Sequence, residues 1–286
     1  MMWQSRIWAA TGVLALMMPV SVQANPSSLG LRAESQQVAT PSASKRPEFL
    51  QNASVHKPPL VDLDTLKEAA ETTVIFPKPL KRIVIDPGHG GTNEGAIGVA
   101  GIHEKHLTLQ VALILADRLR ARMPDVEIIL TRQRDVNMSL AERIEVANRA
   151  EADLFLSLHF NSSMNPEAIG FESFWAGDFW EKDLVKAGVV IDDETRQKRT
   201  EAALLGQRMA TSFNHAMGRH IETMDRGVKP GDYTVLTRAE VPAVVLEMAF
   251  LSHAKEGIDT VTQEYRLKLV NALVDAVVGY TSKRIF

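Results

Sequence analysis

The chain has 286 residues, 32 basic and 35 acidic side chains, 45% hydrophobic residues and a formal charge of −3. That balance suits a globular protein. It excludes a collagen-like, coiled-coil or wholly disordered chain and supplies no basic field of the kind that nucleic-acid binding needs. Cysteine is absent, which excludes disulfides, thiolate metal sites and a cysteine nucleophile, so any metal must be held by nitrogen and oxygen.

At the N-terminus, Arg6 precedes a run from Ile7 to Val20 of fourteen largely apolar residues, and Val22-Gln23-Ala24 follows with a small–x–small pattern. This predicts an export signal over residues 1–24, cleaved after Ala24. The run falls short of the about 20 residues a membrane span takes, so no stable membrane insertion is expected after cleavage, with an uncleaved anchor as the alternative. Residues 25–78 read as a Pro/Ser-rich, largely disordered linker. Pro26, Pro41, Pro47, Pro58 and Pro59 lie among Ser, Gln and Ala, and only Leu63–Thr72 shows a helical spacing. Residues 79–286 then suffice for one domain with a proper core.

Within that domain, Arg82–Ile85 is a β-branched run stopped by Asp86-Pro87-Gly88, a strand and its breaker. Glu104–Arg122 carries Leu107, Val111, Ile114, Leu115 and Leu119 at helical spacing. Strands are predicted over Val126–Leu130, Leu154–Leu158, Gly170–Trp175 and Val241–Leu246. Helices are predicted over Ser139–Arg149, opened by a Ser139/Glu142 capping box, over Glu201–Met217 and over Thr262–Tyr280. Alternating strands and helices, with nearly all-apolar strands, predict an α/β fold: a single domain with a mostly parallel twisted sheet flanked by helices on both faces, phosphorylase/hydrolase-like.

Function in such sheets collects at the carboxyl ends of parallel strands. Three strands end in a polar residue that an apolar run does not want: the first leads through a Gly-containing turn to His89, the second runs into His159 and the third into Glu247. Glu104 opens the first helix, where the positive end of the dipole tolerates an anion. Two imidazoles and a carboxylate are the usual ligands of a catalytic zinc, and a further carboxylate can move the protons of hydrolysis. His89, Glu104 and His159 are therefore candidate ligands and Glu247 the candidate acid/base. Each also has a plainer reading: a loop histidine, a first-turn carboxylate, a core histidine, and a glutamate paired with Arg226 or Arg238. The glycines around His89 match neither nucleotide-binding loop pattern.

Taken in order, Ile85-Asp86-Pro87-Gly88-His89-Gly90-Gly91, Gly101-Ile102-His103-Glu104-Lys105, Thr131-Arg132, Ser139-Leu140-Ala141-Glu142-Arg143, Ala147-Asn148, Ser157-Leu158-His159-Phe160-Asn161 and Leu246-Glu247-Met248-Ala249-Phe250-Leu251-Ser252 resemble the zinc-dependent N-acetylmuramoyl-L-alanine amidases of the Amidase_3 type. The resemblance runs from about Lys81 to the C-terminus and implies a peptidoglycan hydrolase. Such an enzyme cuts the amide between N-acetylmuramic acid and L-alanine of the stem peptide, with one Zn2+ per chain. It also implies that His89, Glu104 and His159 are the ligands and Glu247 the catalytic glutamate. His103 and His106 stand beside Glu104 as competing imidazoles, and His253 departs from the family's usual Asn.

Asp86 either orients His89 or caps the turn with Pro87, and Asn161 either contacts substrate or forms a turn. Arg132 and Arg143 read as structural ion-pair partners, and Arg226-Gly227-Val228-Lys229 as groove lining or a turn. Phe179, Trp180, Leu184 and Val185 lie at near-helical spacing and suggest a lid around Asp178–Asp193. The resemblance implies that a carboxylate of such a lid would plug the zinc until a protein activator removes it. A zinc peptidase acting within the stem peptide and a non-catalytic cell-wall binding module are the rival readings. An exported monomer is expected, in the periplasm or secreted.

Overall fold

The computed structural model describes residues 79–281; the export segment 1–24 and the linker 25–78, with its Leu63–Thr72 helical stretch, lie outside the described residues. Six strands form one sheet: β1 (Arg82–Pro87), β2 (Glu127–Leu130), β3 (Leu154–Asn161), β4 (Phe171–Trp175), β5 (Asp225–Pro230) and β6 (Ala243–Phe250). Their order is β2-β1-β3-β6-β4-β5. β1, β2, β3 and β6 are parallel to one another, whereas β4 lies antiparallel to β6 and parallel to β5. The mostly parallel expectation therefore holds for the four strands that carry the predicted site, and the sheet as a whole is mixed. Residues 162–170 between β3 and β4 contain no helix and are too few for a parallel crossover, so β4 returns in the opposite sense.

Both faces of the sheet are covered. On one, α1 (Glu104–Arg122), α4 (Asp193–His220) and α7 (Gln263–Thr281) cover Ile83, Ile85, Leu154, Leu156, Leu158, Val244 and Leu246. On the other, α2 (Leu140–Arg149), α3 (Phe179–Lys186) and the one-turn α5 (Thr234–Thr237) cover Val84, Phe155 and Val245. Burial on both sides explains why these strands read as unbroken apolar runs rather than as alternation. A second one-turn helix, α6 (Glu256–Asp259), follows β6. Among the described residues no helix is long and apolar enough to cross a membrane.

The predicted capping box is present: the Ser139 hydroxyl accepts from the Glu142 amide, and Glu142 accepts from the Ser139 amide at 2.7 Å. Two elements depart from expectation. α4 begins at Asp193 rather than Glu201, because Asp192 caps it by accepting from the Thr195 amide at 2.7 Å; the highly charged first turns carry no apolar period to announce them. Arg226–Lys229, expected as groove lining or a turn, lies in β5, where pairing with β4 outweighs the poor strand propensity of Gly and Pro.

Candidate metal centre

Parallel β1, β3 and β6 end at one edge of the sheet, and that shared edge brings residues 89, 159 and 247 together. His159 and Glu247 are direct register partners across β3 and β6. Glu104 reaches them from the start of α1. Its Oε1 lies 3.0 Å from His159 Nδ1 and its Oε2 3.0 Å from His89 Nε2. The Phe160 amide donates to Oε1 and the Ala96 amide to Oε2, each at 2.9 Å. Ligand atoms of His89, Glu104 and His159 lie within 4.8 Å of one another. Two imidazoles and one carboxylate at that separation suit a zinc ion with an open fourth position.

The backbone is shaped around this cluster. His89 adopts φ 60°, a left-handed conformation that a non-glycine residue takes only where its surroundings enforce it. A Cβ on Gly88 would stand 2.3 Å from the His159 ring, and one on Gly95 2.6 Å from Glu104 Oε2, so only glycine admits the ligands at these two positions. Arg132 clamps the loop by donating to the carbonyls of Pro87, Gly88 and Lys105. It is thus a backbone clamp rather than the expected ion-pair partner. Asn93 Oδ1 holds His89 Nδ1 at 2.8 Å, leaving Nε2 for the metal.

Electrostatics separate the carboxylates. Burial works to raise the pKa of Glu104, but hydrogen bonds with His159 and His89 hold it well below the usual carboxylate range. Burial likewise works to lower the pKa of His159, and its bond to Glu104 with the nearby charge of Glu247 raises it instead. A divalent cation would take the place of these protons. Glu247 differs from both. Burial pushes its carboxyl up to about 7, reinforced by the negative charges of Glu104 and Glu172 and opposed by His159 and His89. Its buried Oε2 has no hydrogen-bond partner. An unpaired carboxyl poised near neutrality beside a metal-ligand set is equipped to accept and return a proton.

The residues line a groove of about 240 Å3 that includes His89, His159, Glu247, Tyr233 and Val235. A larger cavity, about 580 Å3 among Arg82, Glu151 and Pro242, lies at the opposite strand ends, far from any ligand set. Donor chemistry rather than volume locates the site.

Residues 83–278 match the Amidase_3 family model, N-acetylmuramoyl-L-alanine amidase. The chain belongs to this family. It is 30% identical to the N-acetylmuramoyl-L-alanine amidase AmiA of Escherichia coli over 219 residues, covering 69% of this chain and 75% of that one. It is 32% identical to the sporulation-specific N-acetylmuramoyl-L-alanine amidase of Bacillus subtilis, covering 70% and 66%. The solved catalytic domain of the amidase CwlV from Paenibacillus polymyxa superposes with a TM-score of 0.56 at 27% identity, over 71% of this chain and 99% of that domain.

As an N-acetylmuramoyl-L-alanine amidase, the protein takes peptidoglycan as its substrate, and the other site expectations can be placed against that chemistry. Asp86 orients no imidazole. It accepts from Arg143, Thr131 and Ser157, and Arg143 in turn donates to the His89 carbonyl, so its influence on His89 passes through the backbone. Asn161 donates to Glu172 Oε1 at 2.7 Å. Glu247 pairs with neither Arg226 nor Arg238; Arg226 instead lies 3.6 Å from Glu172.

Neither His103 nor His106 joins the ligand group; His103 lies 3.1 Å from Glu94. His253 accepts from the Glu256 amide, a loop contact. The lid expectation is corrected in one respect. No carboxylate of Asp178–Asp193 reaches the cluster, because Asp178 pairs with Lys182, Glu181 and Asp193 with Arg196, and Asp183 accepts from Thr237, while Asp192 caps α4. Asn93, Glu172 and Tyr233 were not singled out. The one available signal was Glu172, a charge in the middle of an apolar strand.

Proposed function

We propose that His89, Glu104 and His159 hold one zinc ion per chain and that Glu247 moves the protons of amide hydrolysis. The observation that carries this reading is the convergence of three ligand atoms beside the unpartnered oxygen of Glu247. Bound there, zinc would polarise the scissile carbonyl and bring the pKa of water toward about 7. Glu247 accepts a proton as water adds to the lactyl carbonyl. It delivers that proton to the L-alanine nitrogen as the C–N bond breaks, leaving a carboxylate on the sugar and a free amine on the peptide. Glu104, ionised and held by two backbone amides, presents its carboxylate between the two imidazoles, where it would share the ion with them.

Metal analysis paired with mass analysis of products released from purified cell wall tests this reading. About one zinc per chain and intact stem peptides bearing a new L-alanine amine are expected. Shortened peptides would establish the peptidase instead, and a zinc-loaded protein that releases nothing would establish a binding module.

The same reading includes export by the 1–24 segment and work in the periplasm as a monomer. A protein activator, in this reading, acts at the α3–α5 contact rather than at the metal. Asp183 of α3 accepts from Thr237 of α5, and α5 supplies Thr234 and Val235 to the groove. Deleting residues 178–193 should raise activity on cell wall, and unchanged or lower activity would remove the activator from this site.

A further inference from the structure

We propose that Lys229 and Arg226 form a subsite for a carboxylate of the stem peptide, on the β5 side of Glu247. The inference rests on the amidase reading and names where the leaving peptide is held. His159, Glu247 and Glu172 are successive register partners across β3, β6 and β4, one row along the catalytic edge. Glu172 is buried, with 6% of its surface exposed. Its Oε2 takes the Lys229 ammonium and stands 3.6 Å from Arg226 Nε, while its Oε1 accepts from Asn161. Two cations thus meet one carboxylate, and one positive charge remains in excess.

That excess is open to solvent: the side chains of Lys229 and Arg226 are 42% and 31% exposed. Arg226 Nε is buried without a hydrogen-bond partner, and the guanidinium lies 4.9 Å from the centre of the Phe250 ring, a flat platform that keeps it oriented. Asp225, the adjacent acid, is turned toward Asn214 and the Gly227 amide. Other cations of this edge are committed elsewhere: Arg143 to Asp86, Lys105 to Asp135, and Arg132 to backbone carbonyls.

Spacing fits the substrate. β5 lies two strands beyond β6, about 10 Å at the usual inter-strand separation. An extended peptide advances about 3.3–3.6 Å per residue. With the scissile amide at Glu247 and L-alanine next, a carboxylate on the second peptide residue comes within reach of the Lys229 ammonium. The ligand class is therefore an acidic peptide, read through its charge at the second position.

The experiment compares the binding of L-alanyl-glutamate with its carboxylates free and with them amidated, by calorimetry on the full metal-loaded protein. The wild-type protein should favour the free acid by about 10-fold or more. Lys229→Met should bring the ratio close to one, and Lys229→Arg should retain it. A wild-type ratio near one, or an unchanged ratio in Lys229→Met, overturns the proposal. Because the wild-type ratio needs no variant, a misfolded Lys229→Met leaves the test intact. Binding needs no turnover, so a protein that keeps the acid preference but cuts no muramyl amide contradicts the amidase reading alone. One that cuts without preference contradicts the subsite alone.

Discussion

Asp86 and Glu247 are two carboxylates near the carboxyl ends of β1 and β6, the parallel strands on either side of β3, and their surroundings differ. Asp86, 1% exposed, accepts from the Arg143 guanidinium at 2.7 Å, the Thr131 hydroxyl at 2.6 Å and the Ser157 hydroxyl at 2.8 Å. Every demand of its charge is met, and it anchors the loop that carries His89. Glu247 is half-buried and lines the groove, and its buried Oε2 has no hydrogen-bond partner. Leaving a buried polar group unpaired costs about 1–3 kcal/mol, more when it is charged. A fold retains such an atom where the chemistry needs a free proton acceptor. The satisfied carboxylate holds a loop, and the unmet oxygen lies beside the candidate ligand set.

That contrast can be broken most sharply at Glu247. Glu247→Gln should lower kcat on muropeptides by about 10²–10⁴-fold, with metal content retained and the midpoint of chemical denaturation unchanged or raised. A drop in stability without loss of turnover would reverse the assignment. The next effect falls on the other side. Arg143→Met leaves Asp86 charged with only the Thr131 and Ser157 hydroxyls to meet it, and denaturant unfolding should show a loss of about 3–5 kcal/mol. The double variant Asp86→Asn/Arg143→Met should recover part of that loss, since the uncompensated charge is gone.

A smaller effect is expected from Asn93→Ala. Releasing His89 Nδ1 should weaken zinc affinity about 10–100-fold in a competitive chelator titration, and unchanged affinity would deny Asn93 its orienting role. The smallest is a titration shift. In the metal-free protein the Glu247 carboxyl should titrate near pH 7 by NMR. Below that pH it is protonated and cannot accept a proton. Glu172→Gln removes a neighbouring negative charge and should move the midpoint to lower pH. A midpoint that stays in place would show that the Glu172 charge does not contribute to it.

Much of this was legible in the chain. The apolar strands of the parallel region announced themselves because both faces are covered, and the Ser139/Glu142 box marked the start of α2. His89, His159 and Glu247 stood out as polar residues ending or following apolar strands, and they do share an edge. Less legible were the elements whose stability comes from neighbours. β5 carries Gly, Pro and two cations yet pairs with β4. α4 starts in a charged stretch that an Asp192 cap makes helical. Asp86 could not be separated from a ligand-orienting role by spacing alone, because its partners lie 45, 57 and 71 residues away.

What the sequence by itself determined was the α/β alternation and the nitrogen-and-oxygen character of any metal site, and it named the four candidate residues that the fold brings together. These follow from local periodicity and residue type, which are written along the chain. Only the tertiary structure decided which carboxylate is neutralised and which is left free, that Glu172 sits beside Glu247, and that the lid stretch turns its acids away from the cluster. Charge balance and burial depend on groups brought together across strands, and no local pattern records which distant side chain will arrive.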